Sequence, residues 1–326
     1  MINLILWSVF YVAFAFAAQA VVHELGHYIF GRITGYRFLL FRVFGLALVR
    51  EGSSYRIRYH RSPGSLGQCL MLPPEKEKYP YALVTLGGVI LNMATGVAAL
   101  VYLWVSRGQV PFVHAMGIVL FAFYGAGFAA LNILPGKGGA TVTDGTVLSE
   151  MKKDGLARSC NQAQLQMTRD LIAGKTYGEL DMGELTIPED ADFTNSLVGY
   201  HKILECYRYM DKREWAKACE CLDQFYPVMD RVPVMIRNMI LSEQFFISIL
   251  RNDTTVKDSG ILMELHKCLK AAGDFNSIRI RSAYDIFSNR ADKETVLLKL
   301  EKNKKNYIYK GEAIFCESLI REIRET

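Results

Sequence analysis

The stretch AVVHELGHYIFG, residues 20–31, sets two imidazoles and a carboxylate in the order His-Glu-x-x-His. On a helix, His23 and His27 lie one turn apart on one face, so both rings can reach a single ion. Glu24 sits beside them, placed to take a proton from a water that such an ion activates. This is the residue pattern of a zinc hydrolase. Its setting is unusual, because no charged residue occurs from Ile2 to Val22. A competing reading is a chance spelling in an apolar helix, with the histidines as satisfied polar residues of a bundle. Cost argues against that reading. A carboxylate within a membrane span is penalised by at least about 2.5 kcal/mol and persists mainly where a partner or a function repays it.

Three segments are long and apolar enough to cross a bilayer, which takes about 20 residues: Ile2 to Phe30, Tyr81 to Val105 and Val113 to Leu134. The first is too long for a signal-peptide core and ends in the histidine motif rather than at a small-residue cleavage site. Its interleaved alanines (Ala13, Ala15, Ala17, Ala18, Ala20) allow close helix approach. At about 1.5 Å per residue, His23 lies roughly 30 Å along the helix from Ile2, near the far end of the first span. Beyond residue 150 the most apolar run, VPVMIRNMILSEQFFISIL, is interrupted by Arg237 and Glu243.

Charge divides the 326-residue chain. Residues 1–150 hold 11 Lys/Arg against 6 Asp/Glu, and residues 151–326 hold 27 against 27. An apolar half with a few clustered cations, joined to a charge-balanced half, predicts a membrane domain over 1–150 and a soluble domain over 151–326. No folded polar domain concentrates cations as a nucleic-acid surface would. The connection from Gly31 to Pro80 carries nine Lys/Arg and three Glu, against a single Arg107 in the connection between the second and third spans. The positive-inside rule then predicts an integral membrane protein, expected in the cell membrane, with its N-terminus outside and its C-terminal domain in the cytoplasm. Seven cysteines without disulfide-like spacing suit that reducing compartment. Cys219 and Cys221 are two apart on an expected helix and make a poor metal pair.

A catalytic zinc usually has three protein ligands and one open position. Before residue 144 the acidic residues are only Glu24, Glu51, Glu75 and Glu77, and the first aspartate is Asp144, in LNILPGKGGATVTDGT. Asp144 follows the third span at a depth that matches the histidines. It reads equally as a helix N-cap ahead of GTVLSEM, and cap and ligand are compatible. No other acidic residue is so well placed.

With HELGH in the first span, GGVILN in the second and NILP…DG after the third, the sequence resembles the site-2 protease family of intramembrane metalloproteases. The resemblance covers about residues 10–150. It implies a three-transmembrane-helix core with one zinc per chain, held by His23, His27 and Asp144, and Glu24 as the catalytic base. The family's Asn-x-x-Pro element falls on Asn132 and Pro135, and its small-residue motif on Gly88 and Asn92. The amides of Asn92 and Asn132 are expected to bind a substrate backbone or the developing oxyanion; both equally suit helix–helix hydrogen bonding. The implied reaction is peptide-bond hydrolysis in a membrane-spanning or signal-peptide-like protein, as in regulated intramembrane proteolysis or peptide maturation. One departure stands out: twelve positions separate Asn132 from Asp144, where familiar members have a shorter, proline-rich gap.

The long loop, FRVFGLALVREGSSYRIRYHR, predicts a β-hairpin about the turn Glu51-Gly52-Ser53-Ser54, with Tyr55, Ile57 and Tyr59 alternating against arginines. An extended segment, Ser65 to Leu72, follows. It reads as an edge strand that takes unwound substrate by strand addition, with Gly67 allowing close approach and Gln68 within the strand. The hairpin also suits a place on anionic headgroups. His60 and His114 read as interfacial polar residues rather than ligands. After a polar link at 173–193 the rest predicts helices only. YRYMDKREWAKACECLDQFYP is similar to one tetratricopeptide unit, with Trp215, Ala218, Leu222, Phe225 and Pro227 at fitting positions. Later helix pairs are expected near 234–250, 258–289 and 309–324. The fold expected is thus a membrane α-helical metalloprotease core with a cytoplasmic-side β-hairpin region, followed by an all-α, solenoid-like domain able to bind a protein regulator. The rival function is a membrane-anchored helical-repeat scaffold whose zinc motif is relict. The intact His-Glu-His set argues against it.

Overall fold

A computed structural model describes residues 2–60, 65–74, 79–106, 108–136, 142–181, 185, 187–252, 269 and 274–323. Arg61, Lys76, Lys78 and Arg107, on which part of the orientation argument rests, lie outside these residues, as do 258–268 and 270–273 of the expected helix pair at 258–289. The chain is mostly helical with one small sheet and divides into two compact units.

The first unit comprises Met1–Gly45, Leu66–Gly136 and Val142–Ser149. Helix α1 runs Ile2–Ile33, and Gly35, at φ +87°, ends it by turning the chain where its amide bonds Arg32 and Tyr36 bonds Gly31. Helices α2 (Tyr81–Thr85) and α3 (Gly87–Val105) break at Leu86, where one continuous span was expected; α4 covers Phe112–Ile133. Three helices, α1, α3 and α4, are long and apolar enough to cross a membrane.

Small residues let these helices touch. A Cβ on Gly87 would lie 2.6 Å from the Gly26 carbonyl oxygen, so α1 and α3 meet backbone to backbone at the level of His27. At Gly125 a Cβ would fall 2.8 Å from Gln19 Nε2, so only glycine there admits that amide between α1 and α4. This close approach explains why polar side chains of α1 reach α3 and α4 directly.

Strands β1 (Arg37–Val43), β2 (Leu46–Glu51), β3 (Ser54–Tyr59) and β4 (Gly67–Leu72) form a sheet in the order β3-β2-β1-β4. β4 pairs antiparallel with β1, from Val43↔Gly67 to Arg37↔Leu72, with an irregularity between Phe38 and Leu40. It is therefore an edge strand among the described residues. The hairpin turns where expected, with Gly52 at φ +63°.

The second unit takes in that hairpin (Leu46–Ser65) together with Glu150–Thr326. The hairpin groups there through Glu51, whose carboxylate binds Lys310 at 2.6 Å and Arg58 at 3.2 Å, and through His60, whose ring meets Tyr307 and Tyr309. One face of the hairpin, Leu46, Ile57 and Tyr59, is exposed, while Ala47 and Val49 on the other are buried. Helix α5 (Asp144–Lys153) leads into α6 (Gly155–Ala173), α7 (Ser196–Asp211), α8 (Trp215–Asp223), α9 (Val234–Leu250), α10 (Phe275–Phe287), α11 (Lys293–Lys304) and α12 (Lys310–Arg321). Asp154, Asn195, Asp274 and Asp292 cap α6, α7, α10 and α11 with their carbonyl or carboxylate oxygens.

Helices α7 and α8 make the helix-turn-helix of the tetratricopeptide-like stretch. Ala218, Leu222 and Phe225 are buried, and Pro227 lies in the turn that follows. Glu243, which interrupts the apolar run of α9, is buried against Arg279 at 2.6 Å, and the guanidinium lies 4.2 Å from the Phe246 ring centre. A charge buried this deeply is tolerated because it is paired. The six described cysteines are free thiols.

Candidate metal centre

All the residues of the site lie in the first unit. Helix α1 stacks His23 above His27, with Nε2 atoms 3.2 Å apart. Asp144 Oδ2 lies 3.2 Å from the first and 3.4 Å from the second. The three atoms form a nearly equilateral triangle, and His23, His27 and Asp144 could hold a metal ion.

The partners of the far ring nitrogens strengthen this conclusion. His23 Nδ1 faces Asn92 Oδ1 at 2.7 Å, and His27 Nδ1 faces the Val84 carbonyl at 2.9 Å. Both partners are oxygens that only accept, so each ring donates from Nδ1 and turns its Nε2 toward Asp144. Two imidazole nitrogens and a carboxylate oxygen thus converge on one point. One added proton would satisfy one edge of the triangle; a cation satisfies all three corners. Carbonyl and amide partners on the far nitrogens are also what orient imidazoles that bind metals.

Asp144 reaches the triangle because it does not cap its helix. Thr143 does: its hydroxyl accepts from the Thr146 amide at 3.3 Å and donates to the Leu134 carbonyl at 2.8 Å. The carboxylate of Asp144, at the first helical position, is left free. Gly145 permits the approach, since a Cβ there would lie 3.2 Å from the Asn132 carbonyl oxygen and closer still to that of Ile133. The long Asn132–Asp144 gap therefore ends in a tight return onto the end of α4.

Glu24 is 7% exposed. A Cβ on Gly67 would fall 2.6 Å from Glu24 Cγ, so the start of edge strand β4 passes directly over the carboxylate. Its charge interacts with His27, His23, Asp144 and Arg42. Gly88 is equally committed, because a Cβ there would sit 2.5–2.7 Å from three atoms of the His23 ring. Alanine is a better helix former than glycine by about 1 kcal/mol, so Gly88→Ala should leave α3 intact. It should still displace the His23 ring and weaken metal affinity by roughly 10–100-fold, the range for lost ligand orientation. Chelator competition on the purified variant, beside its circular dichroism, checks both halves of this expectation.

The structure thus brings together His23, Glu24, His27, Asp144, Asn92, Gly88 and Gly67. Asn92 and Asn132 both hydrogen-bond to helices. Asn92 is fully buried and spends both ends of its amide on α1. Asn132 donates from Nδ2 to the Phe128 carbonyl one turn back on its own helix. Gln68 accepts at Oε1 from Arg42 Nη2 at 3.4 Å. Arg42 itself, counted among the orientation-setting cations, is 2% exposed and interacts electrostatically with Glu24. Gln19, Val84, Thr143 and Gly145 were not singled out by residue type. Only the Asp-Gly pair carried a local signal, since glycine allows a close backbone approach. His114 pairs with the Tyr11 hydroxyl, and His60 packs on tyrosines; neither joins the triangle. No protein-family model, curated protein or solved structure matches the chain, so its sequence and site geometry are what bear on its function.

Proposed function

We propose that the protein is an intramembrane zinc metalloprotease of the site-2 protease type, cutting a membrane-spanning or signal-peptide-like protein. One observation carries the reading: three possible ligand atoms converge 3.2–3.4 Å apart beside a buried glutamate that an edge strand overlies. A tetrahedral zinc at its usual ligand distances has edges of about 3.3–3.4 Å, so the donor set fits that ion. His23, His27 and Asp144 would hold it. When bound, zinc supplies Lewis acidity, polarising a carbonyl and making a water nucleophilic near neutral pH. Glu24 takes the proton of the attacking water and delivers it to the leaving amine. Strand β4 aligns an unwound substrate by main-chain hydrogen bonds.

The three apolar helices cross the bilayer in this reading, the N-terminus lies outside, and the helical domain is cytoplasmic, where its tetratricopeptide-like stretch receives a protein regulator. The purified protein should contain one zinc per chain, and His27→Leu should lose it. Membrane peptides from cells making the parent protein should include cleavage products absent from cells making Glu24→Gln. A metal-free parent, or identical peptide sets, would rule the reading out.

The edge strand gives a separable expectation. A helical substrate must unwind, and bare backbone in a bilayer is costly unless protein groups pair with it. Proline at Gln68 or Leu70 removes a strand amide without touching a ligand. These variants should bind zinc normally, cleave a transmembrane substrate poorly, and lose less activity on a short extended peptide. Equal losses on both would limit β4 to binding. No loss would remove it from the mechanism.

A further inference from the structure

The buried amides around His23 have a polarity that can be followed from helix to helix. The Phe121 carbonyl on α4 only accepts, so the end of Gln19 that meets it at 3.0 Å is Nε2. Gln19 Oε1 then faces α3 and accepts from Asn92 Nδ2 at 2.6 Å, while the Gln19 main-chain carbonyl takes the second amide hydrogen at 2.9 Å. Two acceptors therefore fix Asn92 with Oδ1 toward His23. That oxygen only accepts, so His23 donates to it from Nδ1 and its Nε2 is turned toward Asp144. Asn92 and Gln19 are both 0% exposed.

We propose that Asn92 is a positioning residue for the metal ligand His23, and that Gln19 sets Asn92 in turn. Together they select the imidazole tautomer that leaves Nε2 free for the ion. The opposite tautomer would place a hydrogen on Nε2, aim it at Asp144 Oδ2 3.2 Å away, and satisfy that edge of the triangle without metal. A main-chain carbonyl of α4 thus decides, through two side chains, whether a residue of α1 binds metal or a neighbour. The inference rests on the zinc reading of His23, His27 and Asp144. It adds a role to Asn92 that the ligand set itself does not contain.

The test uses the full chain in detergent with 15N-labelled histidine, the His23 ring signals being identified by their loss in His23→Ala. Without metal, the parent and Asn92→Asp should show His23 protonated at Nδ1, because either residue offers the ring an acceptor. Asn92→Leu should shift the proton toward Nε2. In zinc competition with a chelator, Asn92→Leu should bind about 10–100-fold more weakly, the cost of a lost outer partner. Asn92→Asp should restore most of that loss. Gln19→Met should fall between them, since the Gln19 main-chain carbonyl still holds one amide hydrogen, and it stands in for Asn92→Leu should that variant not fold. A parent-like tautomer and affinity in both Asn92→Leu and Gln19→Met would overturn the proposal. So would equal losses in Asn92→Leu and Asn92→Asp, which would reduce Asn92 to packing. If the parent binds no zinc, the protease reading falls, while the tautomer measurement still decides this inference.

Discussion

Replacing Glu24 by glutamine should lower cleavage by about 10²–10⁴-fold, the range that a positioned proton acceptor contributes, and leave zinc bound. The substitution keeps the shape of a side chain that β4 overlies at Gly67, so the strand stays where it is. It removes only the ability to take a proton. His23, His27 and Asp144 are untouched, and their triangle does not include a Glu24 atom. Zinc content, thermal melting and turnover of the same preparation separate the outcomes. A variant that turns over normally would place the proton transfer elsewhere. One that loses zinc together with activity would make Glu24 part of the metal's support.

Asp144→Ala should act differently, lowering zinc affinity and activity together. The loss should exceed the roughly 100-fold upper range of outer-partner substitutions, because one of three protein ligands is gone. Without an ion, Asp144 Oδ2 lies 3.2 Å from His23 Nε2 and 3.4 Å from His27 Nε2. Added zinc at about 100 times its dissociation constant should stabilise the parent by about 2.7 kcal/mol and the variant far less. Equal zinc-induced shifts would mean that another residue completes the ligand set.

Much of this site was legible because helical spacing alone fixes it. His23 and His27 share a face wherever α1 is helical, and Asp144 stood out through the scarcity of acidic residues before it. The hairpin turn was marked by Gly52, which the structure uses as expected, and Gly67, at the start of the edge strand, lies against Glu24. What the sequence hid depended on pairing across helices. Asn92 on α3 reads alike as substrate binder or helix glue until Gln19 and His23 are seen on either side of it. The cap of α5 was misplaced by a single position, because Thr143 and Asp144 are both good capping residues and only the fold assigns the bond to Thr143. The break at Leu86 has no proline to announce it. It falls just before Gly87 and Gly88, which α1 and the His23 ring crowd.

The partnership of Glu51 with Lys310 spans 259 positions of chain. At about 5–20 residues per second of synthesis, the lysine appears roughly 13–50 s after the glutamate. His23, His27 and Asp144, and the three described helices long and apolar enough to cross a membrane, have left the ribosome well before then. For that interval the β2–β3 hairpin carries its exposed apolar face without its ion pair to α12 and without the tyrosines that pack on His60. Premature termination or trimming ahead of Tyr307 would freeze the molecule in this state. Such a truncated chain keeps His23, His27 and Asp144 yet has an untethered hairpin, so loss of α12 is felt by a strand pair encoded far upstream of it.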